Sequence, residues 1–230
     1  MTTIRRLSTV LAASALLSAA AHAAPVNWAD WTSGTAGASG SAIGSFSTGA
    51  GTVDISYKGE VAFIETGTGT NYFTHGATSP YKSALVDNDP TASEMIALSL
   101  ATSKTLTFST AVDNLFFAVV SLNGNGYRFD SDFEIVSFGA GYWGNGTLTK
   151  VALGGGQFQL NGSGEPHGVI RFTGAVSSIT WTSLTNEFWN GFTVGTYGIA
   201  PPAVPEPETY ALMLLGLLGI GVVARRRRAR

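Results

Sequence analysis

Three groups of residues in this 230-residue sequence are of types and spacings that could do chemistry. Asp130, Asp132 and Glu134 alternate along a run patterned as a strand. On a strand that spacing puts all three on one face in steps of about 6.8 Å, near enough for neighbours to share a hard cation such as calcium if a loop adds carbonyl oxygens. Asp87-Asn88-Asp89 is a second oxygen-rich candidate. Against both stands a plainer reading as a solvated polar face and an Asx turn, and neither an EF-hand nor a glycine-rich calcium repeat occurs. No cofactor is demanded, and calcium at Asp130, Asp132 and Glu134 is the metal the sequence offers.

The second group is aromatic. Trp143, Trp181, Trp189, Phe188 and Tyr197 could stack on the apolar faces of sugar rings. Trp181 alternates with Ile179 and is expected in the core. Trp143 lies in the loop Gly141-Tyr142-Trp143-Gly144-Asn145, where exposure is expected, and is the candidate for glycan stacking. The third group is catalytic in type but not in pattern. Outside the first 23 residues the histidines are His75 and His167, both expected in solvated loops, and no GxSxG, HExxH or P-loop is present. Sequence alone sets no acid pair at the separations glycoside cleavage requires, about 5 Å or 6.5–9.5 Å. No enzyme is expected.

The elements that must hold these groups are strands. Between Ala24 and Ile199 apolar residues mostly alternate, and Gly, Asn, Ser or Asp clusters interrupt them every eight to twelve residues. The pattern predicts an all-β fold, a jelly-roll-like antiparallel β-sandwich of about ten to twelve strands over residues 24–199. Val53, Ile55 and Tyr57 share a face, Val61 and Phe63 follow after Lys58-Gly59, and Leu106 and Phe108 mark a further strand. Asn114 to Leu122 is apolar on both faces, as a central strand is. Asn123-Gly124-Asn125-Gly126 predicts a hairpin, followed by a strand from Tyr127 to Phe138. Later strands are expected at 147–153, 157–160, 169–172, 176–182 and 192–197. Thr91-Ala92-Ser93-Glu94 reads either as a capping box for a short helix or as a turn entering a strand.

Composition agrees with such a domain and limits what it can bind. Only 12% of residues are charged, and 29 glycines separate the apolar runs. Without cysteine there is no disulfide, thiolate metal site or cysteine nucleophile. Residues 24–204 hold 13 Asp and Glu against six Lys and Arg, a balance of −7, so a nucleic-acid partner is not expected.

Both ends of the chain have a different character. Arg5 and Arg6, the apolar run Val10 to Ala20 and Ala21-His22-Ala23 follow the order of a secretory signal peptide over 1–23, with cleavage between Ala23 and Ala24. Residues 200–208 form a Pro-rich linker containing Pro205-Glu206-Pro207. Residues 209–224 carry no charge and predict one short transmembrane helix of about 24 Å, and Arg225, Arg226, Arg227 and Arg228 open a basic cytoplasmic tail over 225–230.

A Pro-Glu-Pro tripeptide, a short apolar helix and a terminal arginine cluster together resemble the PEP-CTERM sorting signal of Gram-negative bacteria. The resemblance covers Pro205 to Arg230. It implies recognition through Pro205, Glu206 and Pro207, a stop at Arg225 to Arg228, and processing by an exosortase-like membrane protease. It also implies passage through the inner membrane to the cell surface or extracellular matrix, in association with extracellular polysaccharide. The first expectation for the domain is a non-catalytic structural or adhesive role. The alternatives are a carbohydrate-binding module of the exopolysaccharide matrix and a secreted glycoside hydrolase.

Overall fold

The computed structural model describes residues 23–200. Residues 1–22, most of the Pro-rich linker, the apolar segment and the arginine cluster lie outside them. Thirteen strands build the domain. They are β1 (Asn27–Trp28), β2 (Asp30–Thr35), β3 (Gly37–Thr48), β4 (Gly51–Val61), β5 (Phe63–Thr66), β6 (Glu94–Leu98), β7 (Ser103–Val120), β8 (Gly126–Phe129), β9 (Glu134–Gly139), β10 (Gly146–Gly154), β11 (Gln157–Gly164), β12 (His167–Ser183) and β13 (Asn190–Ile199). Every pairing between these strands is antiparallel.

Two long strands turn this network into two layers. The first half of β7 pairs with β4, and the second half of β12 with β8, so one layer runs β2, β3, β4, β7, β12, β8, β11, β10. The second half of β7 pairs with β13, and the first half of β12 with β9, so the other layer runs β9, β12, β7, β13, β6, β5, with β1 also on β13. The bend lies where register is lost, between Phe172 and Ala175 and between Val176 and Ser178. Bulges of this kind sharpen twist and let one strand serve two sheets. Asn114 (φ 52°) and Gly174 (φ 81°) stand at this corner.

Alternation along β7 explains the core. Leu115, Phe117 and Val119 enter the cluster between the layers, with Trp181, Phe192, Tyr127 and Phe129. Phe116, Ala118 and Val120 face the other way, into a second cluster under a long connection from Gly67 to Ser93. Phe73, Tyr81 and Val86 of that connection cover the outer face of the sheet. Structureless loops of this length are uncommon in compact domains. This one is pinned by the Asn88 side chain, which accepts from the Val26 amide (2.7 Å) and donates to its carbonyl (3.0 Å). The Asp87-Asn88-Asp89 candidate is thus a clasp, with Asp89 taken up by Ser79, His75 and Lys82.

Several expectations are corrected. Asn123-Gly124-Asn125-Gly126 is not a hairpin turn, because β7 and β8 do not pair with each other; each pairs with β12 instead. β4 runs on through Lys58-Gly59, and the separate strands expected at 169–172 and 176–182 are one bulged β12. Thr91 to Glu94 leads into β6; Glu94 accepts from the Trp31 amide (2.7 Å) rather than capping a helix. His167 is not a solvated loop residue. It is fully buried in β12, its Nδ1 sharing a hydrogen bond with the Tyr81 hydroxyl (3.1 Å), and burial pulls its pKa down to about 4.

Candidate functional site

Because β7, β12 and β13 are neighbours, the connections leaving one end of the layer they share converge. Ser121 and Asn123 follow β7, Glu165 precedes β12, and Glu187, Phe188 and Trp189 precede β13. With Trp143 from the β9–β10 loop they line a cleft of about 390 Å³, within the ordinary size of small-molecule sites, about 300–1,000 Å³.

One wall is aromatic. Tyr72 of the covering connection meets Trp189 edge to face (5.0 Å between centroids) and Tyr142 (5.2 Å), while Tyr142 meets Trp143 (4.8 Å). The Trp143 loop is closed by a hydrogen bond from the Gly141 amide to the Gly144 carbonyl (2.8 Å), and Gly141 packs on the buried His167 ring. Trp143 remains 55% exposed and Phe188 92%, large apolar surfaces that stable packing alone does not require.

The other wall carries two carboxylates. Glu165 accepts hydrogen bonds from the Ser121 hydroxyl and from Asn123 Nδ2 (2.6 Å). Glu187 accepts through Oε1 from Asn125 Nδ2 (2.8 Å) and from Asn190 Nδ2. Asn190 is itself held by the buried Tyr127 hydroxyl. Desolvation pushes the Glu187 pKa above the usual carboxylate range, and the Glu165 charge adds to the rise. Ser121 adopts φ 55°, a left-handed conformation that costs a non-glycine residue about 1–2 kcal/mol, and its hydroxyl is thereby aimed at Glu165.

The expected cation cluster is not assembled. Strand pairing breaks between Phe129 and Glu134, so Asp130, Asp132 and Glu134 do not share one strand face. Asp130 accepts from the Thr180 amide (3.2 Å), Asp132 pairs with Lys150, and Glu134 pairs with Arg171. The Lys150 hydrogen bond holds the Asp132 carboxyl below its ordinary pKa. Among the described residues no group of three or more acids and histidines is placed to hold a metal.

β13 ends at Ile199, and the Ala200 amide still donates to the Ala111 carbonyl (2.9 Å). Just beyond, residues 203–228 match the family model described as the PEP-CTERM protein-sorting motif. The chain contains a PEP-CTERM sorting motif. Pro205, Glu206, Pro207 and Arg225 to Arg228 all fall within the match, outside the described residues. Such a motif marks a PEP-CTERM protein for export and for recognition by exosortase, a membrane protein. Neither a curated protein nor a solved structure matches the chain.

The cleft and the motif-bearing segment leave opposite ends of β13. Nine residue steps at about 3.4 Å separate Asn190 from Ile199 by about 30 Å. At the other terminus, Ala24 is already part of the fold. Its amide donates to the Leu85 carbonyl and its carbonyl accepts from Asp87, one residue past the bond expected to be cleaved after Ala23.

Trp143 is exposed in its loop as expected, and Trp181 is buried. Tyr197 lies away from the cleft, its hydroxyl donating to the Leu85 carbonyl (2.6 Å). Sequence reasoning passed over Glu165, Glu187, Tyr72 and the two asparagines of the Asn123-Gly124-Asn125-Gly126 stretch. A signal for Glu187 was present: a carboxylate followed at once by Phe188 and Trp189 between polar residues.

Proposed function

We propose that this protein, which carries a PEP-CTERM sorting motif, is a non-catalytic component of the cell surface or extracellular matrix. Its jelly-roll-like β-sandwich holds extracellular polysaccharide, and its tail is cut by an exosortase-like protease at or near Pro205 to Pro207 after passage through the inner membrane. The reading is carried by the joining of a sorting motif at residues 203–228 to a domain whose aromatic cleft opens at the far end from the tether. A site at the end of β13 away from Ile199 stays free whether the sorting segment is kept or removed. The cleft favours the carbohydrate-binding form of this reading over a purely structural one, since indole and phenyl faces exposed beside hydrogen-bonding groups suit sugar rings.

Mass spectrometry of the protein recovered from its host tests the sorting half. Mature chains should end near Pro207 and lack Arg230, and Glu206→Ala should stop processing and leave the protein in the inner membrane. Intact Arg230 on all exported protein would sink that half. For the binding half, the processed protein should co-sediment with the host's extracellular polysaccharide and Trp143→Ala should release it. Release of new reducing ends from that polysaccharide, lost in Glu187→Gln, would overturn the non-catalytic reading.

A further inference from the structure

The polar wall of the cleft is one-sided. Glu165 and Glu187 are acceptors, and among the described residues no Lys or Arg lines the cavity. The side chains beside the two acids are turned toward them: Ser121 and Asn123 donate to Glu165, and Asn125 and Asn190 to Glu187. A carboxylate offers about four lone-pair sites, so each Glu retains acceptor capacity after these bonds, and Glu187 Oε2 takes none of them. A ligand group that meets these two acids must therefore arrive as a donor. It must also tolerate two acidic side chains and an acidic domain of balance −7, which disfavours uronates and sulfated sugars. The aromatic wall adds a preference of the same sign, because ring faces attract cations as well as sugar C–H groups.

We propose that the cleft binds an amino sugar in its ammonium form, with the ring face against Trp143 and Phe188 and the ammonium between Glu165 and Glu187. The occupant is a unit of a hexosamine polymer with free amines. The inference rests on the polysaccharide-holding reading above and names its ligand class. A bound ammonium offsets the mutual repulsion of the two carboxylates, which neutral or acetylated sugars leave in place. Trp143 supplies affinity for any hexose, and the two acids supply the choice among them.

The test uses the full chain in detergent micelles at pH 5.5, titrated with four hexamers: β-1,4-linked glucosamine, its fully N-acetylated counterpart, glucose and galacturonate. Glucosamine should bind about tenfold or more tighter than the N-acetylated and glucose hexamers, and galacturonate should not bind. Raising salt from 0.05 to 0.5 M should shrink that advantage. Glu165→Gln, which keeps the side-chain shape, should cut glucosamine affinity about tenfold while leaving the N-acetylated hexamer within about twofold. Trp143→Ala should weaken both alike. Equal binding of galacturonate, or an unchanged glucosamine preference in Glu165→Gln with an unchanged urea midpoint, would overturn the proposal. If no hexamer binds but Trp143→Ala still releases the protein from host polysaccharide, the ligand class is wrong and the polysaccharide-holding reading stands. If Trp143→Ala leaves that co-sedimentation intact, that reading itself falls.

Discussion

Two aromatic clusters in this molecule use the same residue types to opposite ends. Between the layers, Trp181 meets Phe117 (5.3 Å), Phe192 (5.2 Å) and Tyr57 (6.0 Å), and all four are fully buried. At the rim, Trp143, Tyr142, Tyr72 and Trp189 contact one another just as closely, yet none is fully buried. The first cluster is made by strands whose alternate residues face the opposing layer. The second is made by loops that end the strands. Edge-to-face geometry alone therefore does not identify core; what lies behind the rings does. Trp181 has a second sheet behind it, whereas Trp143 has solvent and two carboxylates.

Substitutions can sharpen the contrast, with stabilities read from urea unfolding of the full chain in detergent. The largest effect is expected for Trp181→Ala, about 3–5 kcal/mol of lost stability, since a cavity opens between the layers. A loss below 1 kcal/mol would mean that the two clusters are energetically alike. Gly141→Ala joins the rim to the structure beneath it. A methyl there runs into the His167 ring, and a loss of about 1–3 kcal/mol is expected together with weaker sugar binding. Unchanged stability and binding would show that the rim loop is free of His167.

The buried histidine also predicts a pH signature. Its folded pKa of about 4 lies below the ordinary 6.5. The unfolded chain therefore takes up a proton between those values while the folded chain does not. Its contribution is fully present above about pH 6.5 and is lost as pH falls towards 4. The stability gap between the parent chain and His167→Gln should accordingly be larger at pH 7 than at pH 4.5, and a pH-independent gap would remove this account. Glu94 works the other way: burial raises its pKa to about 7, so its contribution is present below the ordinary carboxylate range and fades as pH rises through 7. Comparing each variant with its parent separates the two. The smallest effect on stability is expected for Trp143→Ala, within about 0.5 kcal/mol, as for surface positions generally. A loss of 2 kcal/mol or more would place Trp143 in the fold rather than in a site.

Much of the fold was legible before the structure because the signals are local. Period-two alternation marked the faces of β4, β10, β11 and β13, and the doubly apolar run 114–122 marked β7 as central. β2 and β3 escaped because TSGTAGASGSAIGSFST carries almost no apolar alternation; it becomes sheet by pairing with β4. In the site, Trp143 was readable because glycines flank it. Glu165 and Glu187 were not, since they lie 22 positions apart and meet only where three neighbouring strands end together.

By itself the sequence determined the antiparallel all-β character and the sorting motif, which is legible because Pro205-Glu206-Pro207, an uncharged apolar run and Arg225 to Arg228 stand contiguously in the chain. The tertiary structure decided where the carboxylates go. It separated Asp130, Asp132 and Glu134, neighbours in sequence, by breaking their strand and giving each its own partner. It brought Glu165 and Glu187 to one cleft because β7, β12 and β13 pair side by side. Strand order is set by which faces bury the most apolar surface together, a sum over residues far apart in the chain that no local spacing encodes.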